Sequence, residues 1–184
     1  MAIHFRLDIN ELRPLGRTAR GVKSMNLREG DNLVSMDVLT SNLVDQLAQI
    51  EDLTEDLGDN IEENSSDGPW VLIASAFGLG KRVPVAQFRL QKRAGMGLRA
   101  IKFRIKDDQL VCLKVVLGEG EELLLVTEKG VIVRTNADKI SQQSRAATGV
   151  KLQRLDDGDH LSEVVLVPRE QIEEEDHPNQ IEQN

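Results

Sequence analysis

The chain of 184 residues has no tyrosine, one tryptophan and one cysteine. Without tyrosine it offers no phenolic nucleophile, and Cys112 has no second thiol to bridge, which fits a reducing compartment. No apolar run reaches the ~18 residues of a membrane-spanning helix. The opening MAIHFRLDIN lacks the apolar centre of a signal peptide, so a soluble cytoplasmic protein with no membrane partner is expected. Positive charge is missing from two stretches. Residues 40–69 carry nine acids and no Lys or Arg, and residues 169–184 carry six acids against one Arg. These segments hold −9 and −5 of the net −8, which leaves +6 on residues 1–39 and 70–168. A basic body bears two acidic appendages.

Recognisable catalytic and metal-binding sets are missing too. His4, His160 and His177 share no ligand spacing, so no metal is expected. Asp107-Asp108 and Asp156-Asp157 fall where hairpins must turn, and turn chemistry accounts for them better than acid–base catalysis. The run GLGKR fails as a phosphate loop, because Ser75 replaces its first glycine and Arg82 its magnesium-binding hydroxyl. The glycines of GMGLRA mimic a dinucleotide fingerprint, but LRAIKFRI continues in strand alternation where a helix should open. No active site and no cofactor are expected in this chain.

What is present is a repeat. Arg6, Arg17 and Gly21 stand in the spacing R-x10-R-x3-G, which recurs at Arg82, Arg93 and Gly97 and at Arg134, Arg145 and Gly149. An apolar residue lies six positions after each first arginine (Leu12, Phe88, Ile140). An apolar–basic pair follows each glycine: Val22-Lys23, Leu98-Arg99 and Val150-Lys151. Polar turns then precede a further apolar strand at GDNLV, DDQLV and GDHLS. WVLIASAFG and ELLLVTEKG open the second and third units. The first lacks such a strand, so the chain is expected to begin partway through a unit.

The reading is all-β, a partial propeller or pinwheel of blades with about four strands each. Residues 1–39 form a truncated blade, 70–117 and 118–168 two further blades, 40–69 an acidic insert, and 169–184 a disordered acidic tail. Within the insert Leu43, Leu47, Ile50 and Leu53 recur at helical steps after the capping candidates Thr40, Ser41 and Asn42. A short helix or a mostly disordered insert both fit. Arg17, Arg93 and Arg145 each sit in a polar, glycine-containing loop. With Arg20, Lys23, Lys92, Arg99, Lys102 and Lys151 they suit a phosphate backbone followed without sequence readout. For Arg6, Arg82 and Arg134 two roles stand open: phosphate contact, or hydrogen bonds to carbonyls at the joint between blades. A protein-interaction propeller that docks through an open strand edge is the alternative function.

The stretches ELRPLGRTARGVKSMNLREGDNLVSM, FGLGKRVPVAQFRLQKRAGMGLRAIKF and LLLVTEKGVIVRTNADKISQQSRAATGVKLQRLDDGD resemble successive blades of the C-terminal domain of the bacterial DNA gyrase A subunit. The resemblance covers nearly all of residues 1–168. The related topoisomerase IV shares the repeat, but gyrase fits the later blades better. A β-pinwheel is implied that wraps double-stranded DNA around a basic rim within a type IIA topoisomerase. Its partners would be the remainder of the gyrase A subunit and the gyrase B subunit, whose ATPase uses ATP and Mg²⁺. The catalytic tyrosine of that family lies in a separate region, so strand cleavage is excluded here. Its seven-residue basic box, QRRGGKG, belongs to the first blade. Gln91, Lys92, Arg93, Gly95 and Gly97 match it, whereas Ala94 and Met96 depart, so QKRAGMG is read as a degenerate copy. Acidic tails in the family tune wrapping by competing for the basic surface.

Overall fold

The structure, a computed structural model, describes residues 2–54, 68–118 and 120–167. The acidic tail and residues 55–67 of the insert lie outside them. Eleven strands follow in chain order: β1 (Ala2–His4), β2 (Arg6–Leu7), β3 (Trp70–Ser75), β4 (Leu79–Pro84), β5 (Leu90–Gln91), β6 (Leu98–Ile101), β7 (Leu110–Val116), β8 (Glu122–Thr127), β9 (Ile132–Asn136), β10 (Val150–Lys151) and β11 (Leu161–Val167). Among the described residues one α-helix, α1 (Ser41–Thr54), and three short 3-10 turns interrupt them.

Every residue of β3 is buried, because the strand is central in its sheet and covered on both faces. Alternation along it sends successive side chains to opposite faces. Trp70, Leu72 and Ala74 pack with Leu123, Leu125, Leu161 and Val164 of the third unit. Val71 and Ile73 pack with Phe88, Ala100 and Ile101, and with Ala2 of the first unit. The middle sheet is thus stacked between two hydrophobic cores, and an unbroken apolar run is what such a position requires. Truncating Leu72, fully buried, to Ala would cost about 2–5 kcal/mol.

The four-stranded sheet has the order β10-β4-β3-β7, and β10 belongs to the next unit. The same exchange occurs one unit earlier, where β6 of the second unit pairs with β1 of the first. Registers coincide in the repeat: His4 faces Leu98 as Gly80 faces Val150, and Ile3 faces Arg99 as Leu79 faces Lys151. A parallel contact repeats likewise, Arg6 with Leu90 and Arg82 with Gln142. The first and second units therefore each pair with a strand supplied by the next unit.

Two strands differ from expectation. LRAIKFRI ends as a strand at Ile101, which is paired with Ala2 of β1. Residues 31–39 form no strand, although their counterparts β7 and β11 do. Those counterparts pair with the opening strands β3 and β8 of their own units, and the described part of the first unit has none. Leu33, Val34, Met36 and Val38 stay exposed. Side-chain bonds tether the segment to β7 instead: the Ser35 hydroxyl donates to the Leu113 carbonyl at 2.8 Å, and the Asp37 carboxylate accepts from the Val115 amide at 2.8 Å.

The insert does form a helix. The Thr40 carbonyl accepts from the Leu43 and Val44 amides, and Leu47 is buried in the cluster of Val71, Val85 and Phe88. Of the turn acids, Asp108 accepts from the Ser75 hydroxyl and the amides of Phe77 and Gln109. Asp159 repeats this with Lys129 and His160. Burial would raise the Asp159 carboxyl, but the Thr127 hydroxyl, those two amides and the Lys129 charge hold it below its ordinary value.

Candidate nucleic-acid interface

The repeat motif encodes the joint between units. Arg6 donates to the Phe88 carbonyl at 3.3 Å, and Arg82 donates from Nε to the equivalent Ile140 carbonyl at 2.8 Å. Arg82 also reaches the Asp138 carbonyl at 3.0 Å and lies 4.8 Å over the Trp70 ring, whose Nε1 donates to Gln142 at 2.7 Å. Burial pulls the Arg82 guanidinium below its ordinary pKa, with Asp138 opposing. Arg134 pairs with the Glu122 carboxylate. Arg6 and Arg82 thus bond carbonyls at the joints between units.

In the second and third motifs the closing glycine is required by the borrowed strand. Gly97 and Gly149 adopt φ of +75° and +82°. A Cβ there would meet the carbonyl oxygens of His4 at 2.8 Å and Gly80 at 2.7 Å, too close for any side chain. Gly21 has φ +80° and open space around it.

Between the second arginine and that glycine lies the loop. Its arginine amide is held by the preceding unit at one repeated position: Arg93 N–H donates to Glu11 at 3.0 Å, and Arg145 N–H to Gln87 at 3.3 Å. Neighbouring loops also touch. Asn26 donates from its backbone to the Gly95 carbonyl at 2.9 Å and from its side chain to the Ala94 carbonyl, while Lys23 donates to the Asn26 side-chain Oδ1 at 3.0 Å. One unit on, the Lys102 amide donates to Ala147 at 3.4 Å, and Arg104 Nε donates to the Thr148 hydroxyl at 2.9 Å.

These contacts string the cations together. Lys23 adjoins the loop of Lys92 and Arg93; Gly97 leads into Arg99 on β6; Lys102 and Arg104 adjoin the loop of Arg145; Gly149 leads into Lys151 on β10. Arg17, Arg20, Lys23, Lys92, Arg93, Arg99, Lys102 and Lys151 are exposed, and Arg145 is half-buried. Among the described residues none of them forms an ion pair, whereas Arg134–Glu122 and His160–Glu128 do. Sequence reasoning passed over Arg104 and Lys106. With Arg99, Lys102, Phe103 and Ile105 they line a hollow of about 490 Å³. They lie past the end of β6 at Ile101, in the bend and turn of residues 104–107.

Beneath the third loop lies Lys81, fully buried. Its Nζ donates to the carbonyls of Ser144 at 2.7 Å, Arg145 at 2.8 Å and Ala147 at 2.9 Å. Burial, and then the charge of Arg145, push its pKa down to about 8. A lysine so enclosed on a strand binds no nucleotide phosphate, and Gly95–Gly97 leads into strand β6, not a helix. His4 is packed on Phe88, with burial and the nearby Arg6 lowering its pKa to about 4. His177 lies outside the described residues, among which no cluster of three His, Cys, Asp or Glu side chains could hold a metal ion.

A family model described as DNA gyrase C-terminal domain, beta-propeller, matches residues 5–40, 69–112 and 121–168. The DNA gyrase A subunit of Synechocystis is 53% identical over 174 residues, which cover 91% of this chain and 20% of that protein. The DNA gyrase A subunit of Staphylococcus aureus strain MRSA252 is 39% identical over 175 residues, 95% of this chain and 17% of that protein. The chain thus spans about a fifth of the length of these curated relatives. A solved DNA gyrase A C-terminal domain superposes with a TM-score of 0.64 at 26% identity, covering 89% of this chain and 46% of that one. The C-terminal domain of a DNA topoisomerase IV gives a TM-score of 0.68 at 22% identity, over 88% and 42%, and shares the fold. The chain with its strand-exchanged blades belongs to the DNA gyrase C-terminal domain, beta-propeller family.

Proposed function

We propose that this chain is a non-catalytic DNA-wrapping segment of a gyrase A subunit that follows the phosphate backbone of double-stranded DNA without reading its sequence. The observation that carries this reading is the run of cations that crosses both joints between units without internal ion pairs. Duplex DNA presents one charge per about 1.7 Å of axis, which a spaced row of Lys and Arg neutralises with release of counterions. Bending the duplex costs several kcal/mol, which many such contacts offset. Within the whole enzyme the segment would support ATP-dependent negative supercoiling in the cytoplasm, on the nucleoid. Its partners would be the remainder of the gyrase A subunit and the gyrase B subunit. ATP and Mg²⁺ would serve the ATPase subunit.

Arg93→Ala and Arg145→Ala should each weaken binding several-fold, and by the same factor on duplexes of unrelated sequence. Fluorescence anisotropy against several labelled duplexes checks this. A loss confined to one sequence would contradict backbone tracking.

A further inference from the structure

The three units place an arginine at the same point of each loop, yet the position before the first arginine differs in each: Phe5, Lys81 and Val133. Phe5 packs under the loop of residues 91–97, so closely that a Cβ on Gly95 would lie 2.8 Å from its ring. Lys81 stands under the loop of residues 144–147 and gathers three of its carbonyls. Burying an ammonium is costly unless it is fully bonded, and no carboxylate among the described residues pairs with it. Three charge-assisted bonds use all three of its donors and fix three nearby carbonyl directions. A loop fixed in this way loses less conformational entropy when it meets a ligand.

We propose that Lys81 is a positioning residue of the rim: its buried ammonium holds the 144–147 loop, and with it Arg145, in the shape that meets a DNA phosphate. This rests on the backbone-tracking reading above. Lys81 Nζ bonds the Arg145 carbonyl and the two cations repel; burial first, and then the Arg145 charge, lower the Lys81 pKa. A phosphate at Arg145 relieves that repulsion, so the two residues act as a unit and their losses are not independent.

The test uses Lys81→Met, Lys81→Arg, Arg145→Ala and Arg93→Ala, singly and in pairs, in the full chain. Amide hydrogen exchange is measured without DNA, and anisotropy with a labelled duplex of mixed sequence; Trp70 fluorescence verifies folding. Lys81→Met is expected to speed exchange at residues 144–149 and leave residues 91–97 unchanged. It should weaken DNA binding several-fold, add nothing to Arg145→Ala, and multiply with Arg93→Ala. Lys81→Arg should recover part of the affinity. Unchanged exchange at 144–149, or effects of Lys81→Met and Arg145→Ala that multiply, would overturn the proposal. If Lys81→Met does not fold, Lys81→Gln carries the same comparison. Failure of the unmodified chain to bind any duplex would sink the DNA reading and the role of Lys81 in it, while the exchange arm would still report whether Lys81 pins the loop.

Discussion

Two side chains on the rim depart from what their repeat position asks, and each departure has a measurable effect. Glu11 holds the Arg93 amide where Gln87 holds that of Arg145. Both supply an oxygen acceptor, but Glu11 adds a negative charge beside a loop proposed to meet phosphates. Glu11→Gln keeps the bond and removes the repulsion, so DNA affinity should rise by about two- to fivefold at low salt and less at high salt. Titration at two ionic strengths checks this; unchanged or weaker binding would contradict it. Ala94 has φ +58°, alone among the described non-glycine residues in the left-handed region. Such a conformation costs an L-residue about 1–2 kcal/mol, part of which a glycine returns as unfolded-state entropy. Ala94→Gly, which makes QKRAGMG closer to the box it resembles, should stabilise the chain by about 0.5–1 kcal/mol. Urea denaturation would show the midpoint rise, and an unchanged midpoint would count against strain at this site.

At the scale of elements the borrowed strand is the main device. Gly149 lets β10 lie against β4, and its missing Cβ is the space that the Gly80 carbonyl fills. Gly149→Ala combines a left-handed φ with a backbone clash and should cost about 2–4 kcal/mol. Because Trp70 sits at the same joint, its fluorescence should report the loosening before global unfolding; coincident transitions would contradict a local effect. The spacing R-x10-R-x3-G was legible because the joint imposes the same bonds at Arg6 and Arg82 and the same close approach at Gly97 and Gly149. Which sheet a strand joins was not legible. Apolar alternation says that LRAI has a buried face, but not that its partner is β1 of the preceding unit. Nor could alternation tell that residues 31–39, whose pattern matches β7, would remain unpaired. The pin under the third loop was hidden because a lysine inside GLGKR reads as surface charge, and only packing shows that Lys81 is enclosed.

Across the whole molecule, stacked sheets carry the rim from unit to unit. The middle sheet is buried on both faces, so the loops of adjacent units cannot shift without disturbing a shared core. Residues 1–39 and 70–168 carry a net +6, while the insert and tail carry −9 and −5. That separation makes a chain of net charge −8 compatible with the proposed polyanionic partner. The central claim is that the run of rim cations tracks phosphates, and the measurement that tests it most directly is DNA affinity as a function of salt. With about six to nine phosphate contacts, the log–log slope should lie at about −5 to −8 and be the same for unrelated sequences. A slope near zero, or one that depends on sequence, would contradict it.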